Sequence, residues 1–275
     1  MKPAPFAYHR AATLPEALAM LSEGDETAPV AGGQSLLVLL ALRITGFDRL
    51  VDVTRLQELR ACRETDDTVF LGAAVTHAEI EDGQVPDPSQ GLMPRVAAGI
   101  GYRAIRNRGT LGGSLALSDP AADWPPCLMA LDATLVIAGQ TAERRVPVRD
   151  FHLGPYTTAL EPGELILGAE IPRLPEGARW GCAKHARKSG AFADSIAIAA
   201  CPAPDRARVV LGASESHPRQ LAETSALLSR QPTADESALR TAAAADIAEA
   251  DPDADAWRRR CHLATVLKAI REARR

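Results

Sequence analysis

The spacing of apolar and polar positions divides the chain into three stretches. In the first 55 residues, 28–31 form a short apolar run, 36–42 a longer unbroken one, and Leu50-Val51-Asp52-Val53 a third. The short runs predict strands and the long one a buried helix. Ahead of them, Thr13 and Glu16 stand at capping-box spacing before Leu18, Met20 and Leu21, which predicts a helix start. Strand, helix, strand implies a small α/β unit with parallel pairing. From 56 to 172 the pattern is mixed. Segments 69–75, 135–137, 145–148 and 165–171 predict short strands, with Pro162-Gly163 as the turn before the last. Thr76 and Glu79 repeat the capping-box spacing. Residues 92–105 read as helical, weakened by Gly99 and Gly101. Segment 107–123 is rich in Gly, Ser, Asp and Pro and reads as loop with room for a short helix.

Pro172-Arg173-Leu174-Pro175-Glu176-Gly177 is the clearest linker in the chain. Beyond it, strands are predicted at 180–187, 195–201 and 209–214, then helices at about 217–230, 233–249 and 253–273. Three strands followed by three helices imply a separate C-terminal α+β domain. The Ala/Asp-rich stretch 233–255 contains helix formers and reads as a solvated helix and turn. No internal repeat of fold size is present.

Composition narrows the function. The chain has 275 residues, 46% hydrophobic and 24% charged, enough for a substantial core. A net charge of −4 leaves no basic surplus for nucleic-acid backbones, and 4% aromatic residues make a base-stacking platform improbable. No apolar run approaches the ~18 residues of a membrane span. Residues 1–10 lack the apolar segment of a secretory signal, so a cytoplasmic location is expected. The five cysteines and six histidines show neither C-x-x-C nor H-x-x-x-H spacing, so no iron–sulfur or zinc site is expected from this chain alone.

Two segments carry candidate chemistry: Ala31-Gly32-Gly33-Gln34-Ser35 and Asn107-Arg108-Gly109-Thr110-Leu111-Gly112-Gly113-Ser114. Each has a Gly-Gly pair with a small hydroxyl residue behind it. Glycine permits positive φ and close backbone approach, and successive amides can then form an anion nest. A helix starting at Leu36 would point its positive end at the same place. Two such loops could clasp one pyrophosphate from both sides; alone, either could be only a tight turn. Gly99-Ile100-Gly101-Tyr102-Arg103-Ala104 fits G-x-G-x-x-A. A helical stretch precedes it, however, and Gly109, Gly112 and Gly113 would break a helix after it, so a Rossmann site is not expected. Asp119 and Asp123 lie beyond the second loop, one suited to cap a helix and the other to accept from a ligand. Lys184, in an apolar strand, is either a solvent-facing residue or a charge aimed into a site.

Ala31-Gly32-Gly33-Gln34-Ser35-Leu36, then Leu42-Arg43 and Leu50-Val51-Asp52-Val53, resembles the first flavin-binding segment of the medium subunit of molybdenum hydroxylases, the carbon monoxide dehydrogenase and xanthine dehydrogenase family. Ile105-Arg106-Asn107-Arg108-Gly109-Thr110-Leu111-Gly112-Gly113-Ser114-Leu115-Ala116 resembles its second, and Asp119-Pro120-Ala121-Ala122-Asp123 continues it. Residues 160–166 and 184–192 extend the likeness over nearly the whole chain. The resemblance implies an α+β fold: a two-part FAD-binding domain of the vanillyl-alcohol-oxidase (PCMH) type over 1–172, subdivided near 55, then a C-terminal α+β domain over 178–275 with a three-stranded sheet plus helices.

The same resemblance implies FAD as cofactor. Ala31, Gly32, Gly33, Gln34, Ser35 and Leu36, with Thr110, Gly112, Gly113 and Ser114, would hold its pyrophosphate and ribityl chain. Ile100, Gly101 and Ile105 would lie near the flavin, with Gly109 in the turn. Ala116 and Asp123 would line the cofactor, Asp123 accepting from a polar group. Leu165 or Ile166 would meet the adenine, and Lys184 would favour the anionic reduced flavin. Implied partners are an iron–sulfur small subunit with two [2Fe–2S] clusters and a large subunit with molybdenum cofactor, in a dimer of heterotrimers. This chain would be an oxidoreductase subunit relaying electrons, with no catalytic acid or base of its own. Three places depart from the family pattern: Ala41 where a lysine is frequent, Gly101-Tyr102-Arg103-Ala104 where Pro and Gln are common, and Ser189-Gly190-Ala191-Phe192 where an acidic Gly-Asp pattern is usual. Two alternatives stay open: a self-contained vanillyl-alcohol-type flavin oxidase, for which about 100 residues beyond the linker make a small cap, and a cofactor-free scaffold.

Overall fold

A computed structural model describes all residues except Met1 and Asp25. Strands β1 (Ala7–Arg10), β2 (Thr27–Val30) and β3 (Arg49–Asp52) form a parallel sheet in the order β1-β3-β2. The pairing is parallel because helices Leu14–Leu21 and Leu36–Leu42 carry the crossovers. Leu36–Leu42 forms as predicted, but it is not buried: only Leu40 is, while Leu37, Val38 and Leu42 are exposed. A two-turn helix on a three-stranded sheet has one face to cover, and Leu40 with Ala28, Val30 and Leu50 fills it.

The second sheet is antiparallel and closes over a long stretch of chain. Its strands are β4 (Cys62–Glu64), β5 (Thr68–Gly72), β6 (Thr134–Ala138) and β7 (Glu143–Pro147). The small hairpin β8 (His152–Gly154) and β9 (Thr157–Thr158) precedes β10 (Leu165–Pro172), and the sheet order is β4-β5-β10-β6-β7. The pairing of β10 with β6 slips between Ile166 and Gly168, a bulge that sets Leu165 and Ile166 apart from the regular ladder. Between β5 and β6 run the helices of the site. The stretch 92–105 is two helices, Leu92–Ala98 and Arg103–Arg106, parted by a turn in which Gly101 has φ of 54°. Within 107–123 lies a true helix, Leu111–Leu117, started by the Thr110 side chain accepting from Gly113 N.

The C-terminal sheet holds β11 (Arg179–His185), β12 (Ser195–Ala203), β13 (Arg206–Gly212) and a two-residue edge strand, β14 (Arg219–Gln220). It is therefore four-stranded, not three-stranded, and the predicted helix over 217–230 begins only at Ala222 because Arg219 and Gln220 pair with Leu211 and Val210. Helices Ala222–Arg230, Glu236–Ala250 and Ala256–Ala273 cover one face against Ala197, Ala199, Val209 and Leu211. Ile198, Ala200 and Val210 point the other way, into the core shared with the rest of the chain. A sheet with both faces apolar is the middle layer of a sandwich, and it delivers the β11 side chains to the preceding part of the molecule.

Of the capping boxes predicted, Thr76–Glu79 is complete. At the first helix only half exists: Thr13 accepts from Glu16 N, while the Glu16 carboxylate takes Ala12 N and His9.

Candidate functional site

A cavity of about 420 Å³ runs between the parallel sheet, the glycine-rich segments and the edge of β11. Every site residue named from the sequence lines it: 31–36, Ile100, Gly101, Ile105, Gly109, Thr110, Gly112, Gly113, Ser114, Ala116, Asp123, Leu165, Ile166 and Lys184. Residues far apart in sequence are thus brought to one place.

The two glycine segments do different work. In the first, β2 ends at Val30 and the helix begins at Leu36. Gly33 has φ of 70°, which reverses the chain without steric cost. The helix bonds begin with Leu37 N to Gly33 O and Val38 N to Ser35 O. Among the described residues, no acceptor takes the backbone N–H groups of Gly32, Gly33, Gln34, Ser35 or Leu36, and Ser35 makes no side-chain cap bond. Five successive free donors beside a cavity form an anion nest.

The second segment is no such nest. Leu111 N donates to Val75 O at 2.9 Å, Gly112 N to Ala73 O at 2.8 Å and Ser114 N to Thr110 O at 3.1 Å, and Gly113 N donates to Thr110 Oγ1 at 3.1 Å. The helix cap and a bridge from Thr110 to Thr76 consume these amides. The two loops that could clasp a pyrophosphate from both sides are therefore unequal: this side offers the Thr110 N–H, which has no acceptor among the described residues, the Thr110 and Ser114 hydroxyls and a thin wall. Its glycines serve packing. A Cβ on Gly112 would stand 2.4 Å from the Ala73 Cβ. The two segments also touch, since a Cβ on Gly32 would lie 2.0 Å from the Arg108 carbonyl oxygen.

At the opposite end, Lys184 Nζ lies 2.8 Å from Asp123 Oδ1 and donates to Gly99 O at 3.2 Å. Lys184 is thus aimed into the site, and its charge is paired. Asp123 is buried at the start of helix Trp124–Ala130 without capping it. Burial raises its carboxyl above the ordinary value, and Lys184 opposes that rise. Asp119 instead accepts from Ala121 N in the preceding turn. The Gly99–Gly101 turn is held from behind: Arg106 donates to Ile100 O and Gly101 O at 3.2 and 3.1 Å, and its other nitrogens clamp Glu81 at 2.7 and 2.8 Å. Gly190, with φ of 75°, packs on this turn, and Ala191 and Phe192 join the lining.

Two polar residues of the lining, Glu164 and His77, were not singled out from the sequence. His77 is 5% exposed, and burial, with the Arg106 charge nearby, lowers its pKa from 6.5 to about 4. Its Nδ1 receives the Trp124 indole N–H at 3.0 Å. Nothing local marks it: its partner is 47 residues away, and a lone histidine beside a capping threonine has no motif.

Residues 4–174 match the family model described as the FAD binding domain in molybdopterin dehydrogenase. The chain is 38% identical over 200 residues to the glyceraldehyde dehydrogenase medium chain of Sulfolobus acidocaldarius, covering 72% of this chain and 71% of that one. It is 34% identical to the carbon monoxide dehydrogenase medium chain of Hydrogenophaga pseudoflava, over 70% of this chain and 68% of the relative. Among solved structures, a chain of that organism's carbon monoxide dehydrogenase superposes with a TM-score of 0.93 at 29% identity, covering 99% of this chain and 98% of the other. A chain of quinoline 2-oxidoreductase from Pseudomonas putida gives 0.90 at 33% identity, over 100% and 98%.

Proposed function

The chain belongs to the family of FAD-binding domains of molybdopterin dehydrogenases, and from that premise we propose that it is an electron-relay subunit. It stands between a [2Fe–2S] small subunit, served by a large subunit with molybdenum cofactor, and an external acceptor. The family makes it an oxidoreductase subunit with FAD as its cofactor. The observation that carries the site assignment is the run of five unpartnered amides, Gly32 to Leu36, along the cavity wall. A dinucleotide's pyrophosphate is the dianion such a nest suits.

The remaining lining fits the other parts of that cofactor. Leu165 and Ile166 are buried apolar surface for the adenine. The Ser114 hydroxyl and the Thr110 side of the second segment face the pyrophosphate and ribityl chain. Ile100, Gly101, Ile105 and Gly109 border the flavin, and Ala116 lines the space between. Lys184 and Asp123 close the flavin end as an ion pair. The lysine's pull on electrons is therefore offset by its own counter-ion, which tempers the simple expectation of a bare cation beside the ring. Bound FAD supplies the redox chemistry; the protein binds, orients and screens it. No acid or base of this chain is assigned a step.

The same reading divides the chain into a FAD-binding domain, 1–172, with parts 1–55 and 56–172, and a C-terminal domain, 178–275. It places the protein in the cytoplasm within a dimer of heterotrimers. No helix among the described residues is long and apolar enough to cross a membrane. Tyr102 and Phe192 are exposed at the flavin end, and interface cores favour aromatic residues. The segment 99–108 with Phe192 is therefore proposed as part of the face toward the iron–sulfur subunit. Reconstitution tests this. Alone, the chain should hold FAD and pass electrons from a reductant to a dye, yet oxidise no organic substrate until the other two subunits are added. Steady substrate turnover by the single chain would favour the self-contained oxidase instead.

A further inference from the structure

We propose that His77 is a cofactor-binding residue: its Nε2–H, locked in one tautomer by Trp124, donates a hydrogen bond to an oxygen of the bound FAD. This rests on the reading that the cavity holds FAD.

Trp Nε1–H only donates, so at 3.0 Å His77 Nδ1 must be the acceptor and carry no proton. Burial keeps the ring neutral through the physiological range. A neutral imidazole without a proton on Nδ1 has it on Nε2. Among the described residues, no acceptor is within hydrogen-bond reach of that Nε2–H. His77 is nonetheless only 5% exposed, and it lines the cavity. The Nε2–H is therefore a donor at the cavity wall with no protein acceptor among the described residues, placed to meet an acceptor atom of whatever fills the cavity.

The Trp124 indole holds the ring, and the main chain and Gly109 give it room. His77 N donates to Gly109 O at 2.9 Å, and a Cβ on Gly109 would stand 2.8 Å from Nε2. The absence of a side chain at Gly109 is what lets the imidazole edge lie against the second glycine segment. There the amides of Leu111, Gly112, Gly113 and Ser114 are already used internally. His77 thus adds a side-chain donor to a wall that otherwise offers the Thr110 N–H and the Thr110 and Ser114 hydroxyls. Trp124 is the positioning residue: it touches the ring and fixes the tautomer. It also stands next to Asp123, so one helix start sets both ends of the arrangement.

The test is nitrogen NMR of the full chain with ¹⁵N-histidine, the His77 signals being assigned by their loss in His77→Gln. In the FAD-free chain His77 should appear as the neutral Nε2–H tautomer. On adding FAD, its Nε2 and Hε2 resonances should shift while Nδ1 stays an acceptor. Trp124→Phe should bring in the Nδ1–H tautomer and weaken FAD binding. His77→Phe should weaken it about three- to tenfold, the worth of one neutral hydrogen bond, with His77→Gln, which keeps a donor, recovering part of the loss. FAD binding that leaves the His77 resonances unmoved, or an Nδ1–H tautomer in the parental chain, would overturn the proposal. Failure of the chain to bind FAD at all would overturn the cofactor reading itself.

Discussion

Replacing Gly32 by alanine separates two explanations of why that position is glycine. If the residue only lets a ligand approach, Gly32→Ala would spoil binding and leave the empty protein intact. The structure says otherwise. The new Cβ would lie 2.0 Å from the Arg108 carbonyl oxygen, 2.6 Å from its carbon and 2.9 Å from Gly109 Cα. These are backbone atoms that no rotamer change can move. Ordinary contact needs about 3.5 Å, so the two segments must part by roughly 1 Å or more. Overpacking of this kind costs about 1–3 kcal/mol. The first segment also carries the free amides, and a shift of that size takes hydrogen bonds out of their working range. Charge-assisted bonds are worth about 1.5–3 kcal/mol each, so losing two weakens FAD by about 100-fold or more. Gly113→Ala is the control. Its Cβ would meet only Thr110 Oγ1, at 2.9 Å, so it disturbs a helix cap worth about 1 kcal/mol and should shift FAD affinity less than tenfold. Urea unfolding of the FAD-free chain, followed by circular dichroism, reads the first effect; quenching of flavin fluorescence on titration reads the second. A Gly32→Ala chain as stable as the parent, or one that holds FAD with parental affinity, would refute the loop-packing argument.

Other outcomes depend on the same geometry. Lys184→Met leaves Asp123 buried without its counter-ion, so the bound flavin's reduction potential should fall by something on the order of tens of millivolts, and Lys184→Met with Asp123→Asn should recover most of it; equal potentials in all three proteins would remove the pair from the flavin end. Burial lowers both His77 and His152 from 6.5 to about 4. The unfolded chain therefore takes up protons before the folded one. Stability should be full above pH 6.5 and decline as pH falls toward 4, and urea midpoints that stay level from pH 7.5 to 4.5 would contradict this. Arg106→Met frees the carbonyls of Ile100 and Gly101 and should broaden the flavin absorption bands while FAD is retained; an unchanged spectrum would mean the turn holds without its clamp. FAD should be released into the supernatant on acid precipitation, since His77, the ring against the second glycine segment, serves as a hydrogen-bond donor and not as a tether; yellow colour kept in the pellet would show a covalent link.

Much of the site was legible along the chain because its main device is local. A free-amide nest needs only Gly33 at positive φ and a helix that starts at Leu36, and both are written in consecutive residues. The complete cap at Thr76–Glu79 is local for the same reason. The positions of Asp123 and Lys184 were marked by their surroundings, one in a Gly/Asp/Pro-rich loop and one in an apolar strand. Their pairing was not, because 61 residues separate them and only the docking of β11 closes that distance. The short edge strands β4 and β14 escaped detection because two or three residues carry no period; they exist only where β5 and β13 offer partners.

The sequence by itself determined which backbone segments can meet a phosphate and where helices begin, since near-neighbour sterics and capping decide those. Tertiary structure decided the fate of the amides that local capping leaves open. The second glycine segment has a Gly-Gly pair like the first, but its Leu111 and Gly112 donors fell within reach of the Val75 and Ala73 carbonyls and were consumed, while Thr110 takes those of Gly113 and Ser114 locally. It also decided the proton on His77, because the indole that fixes it arrives from a distant helix. A hydrogen-bond donor is used or left open according to what folds against it, and that depends on long-range closure of the chain.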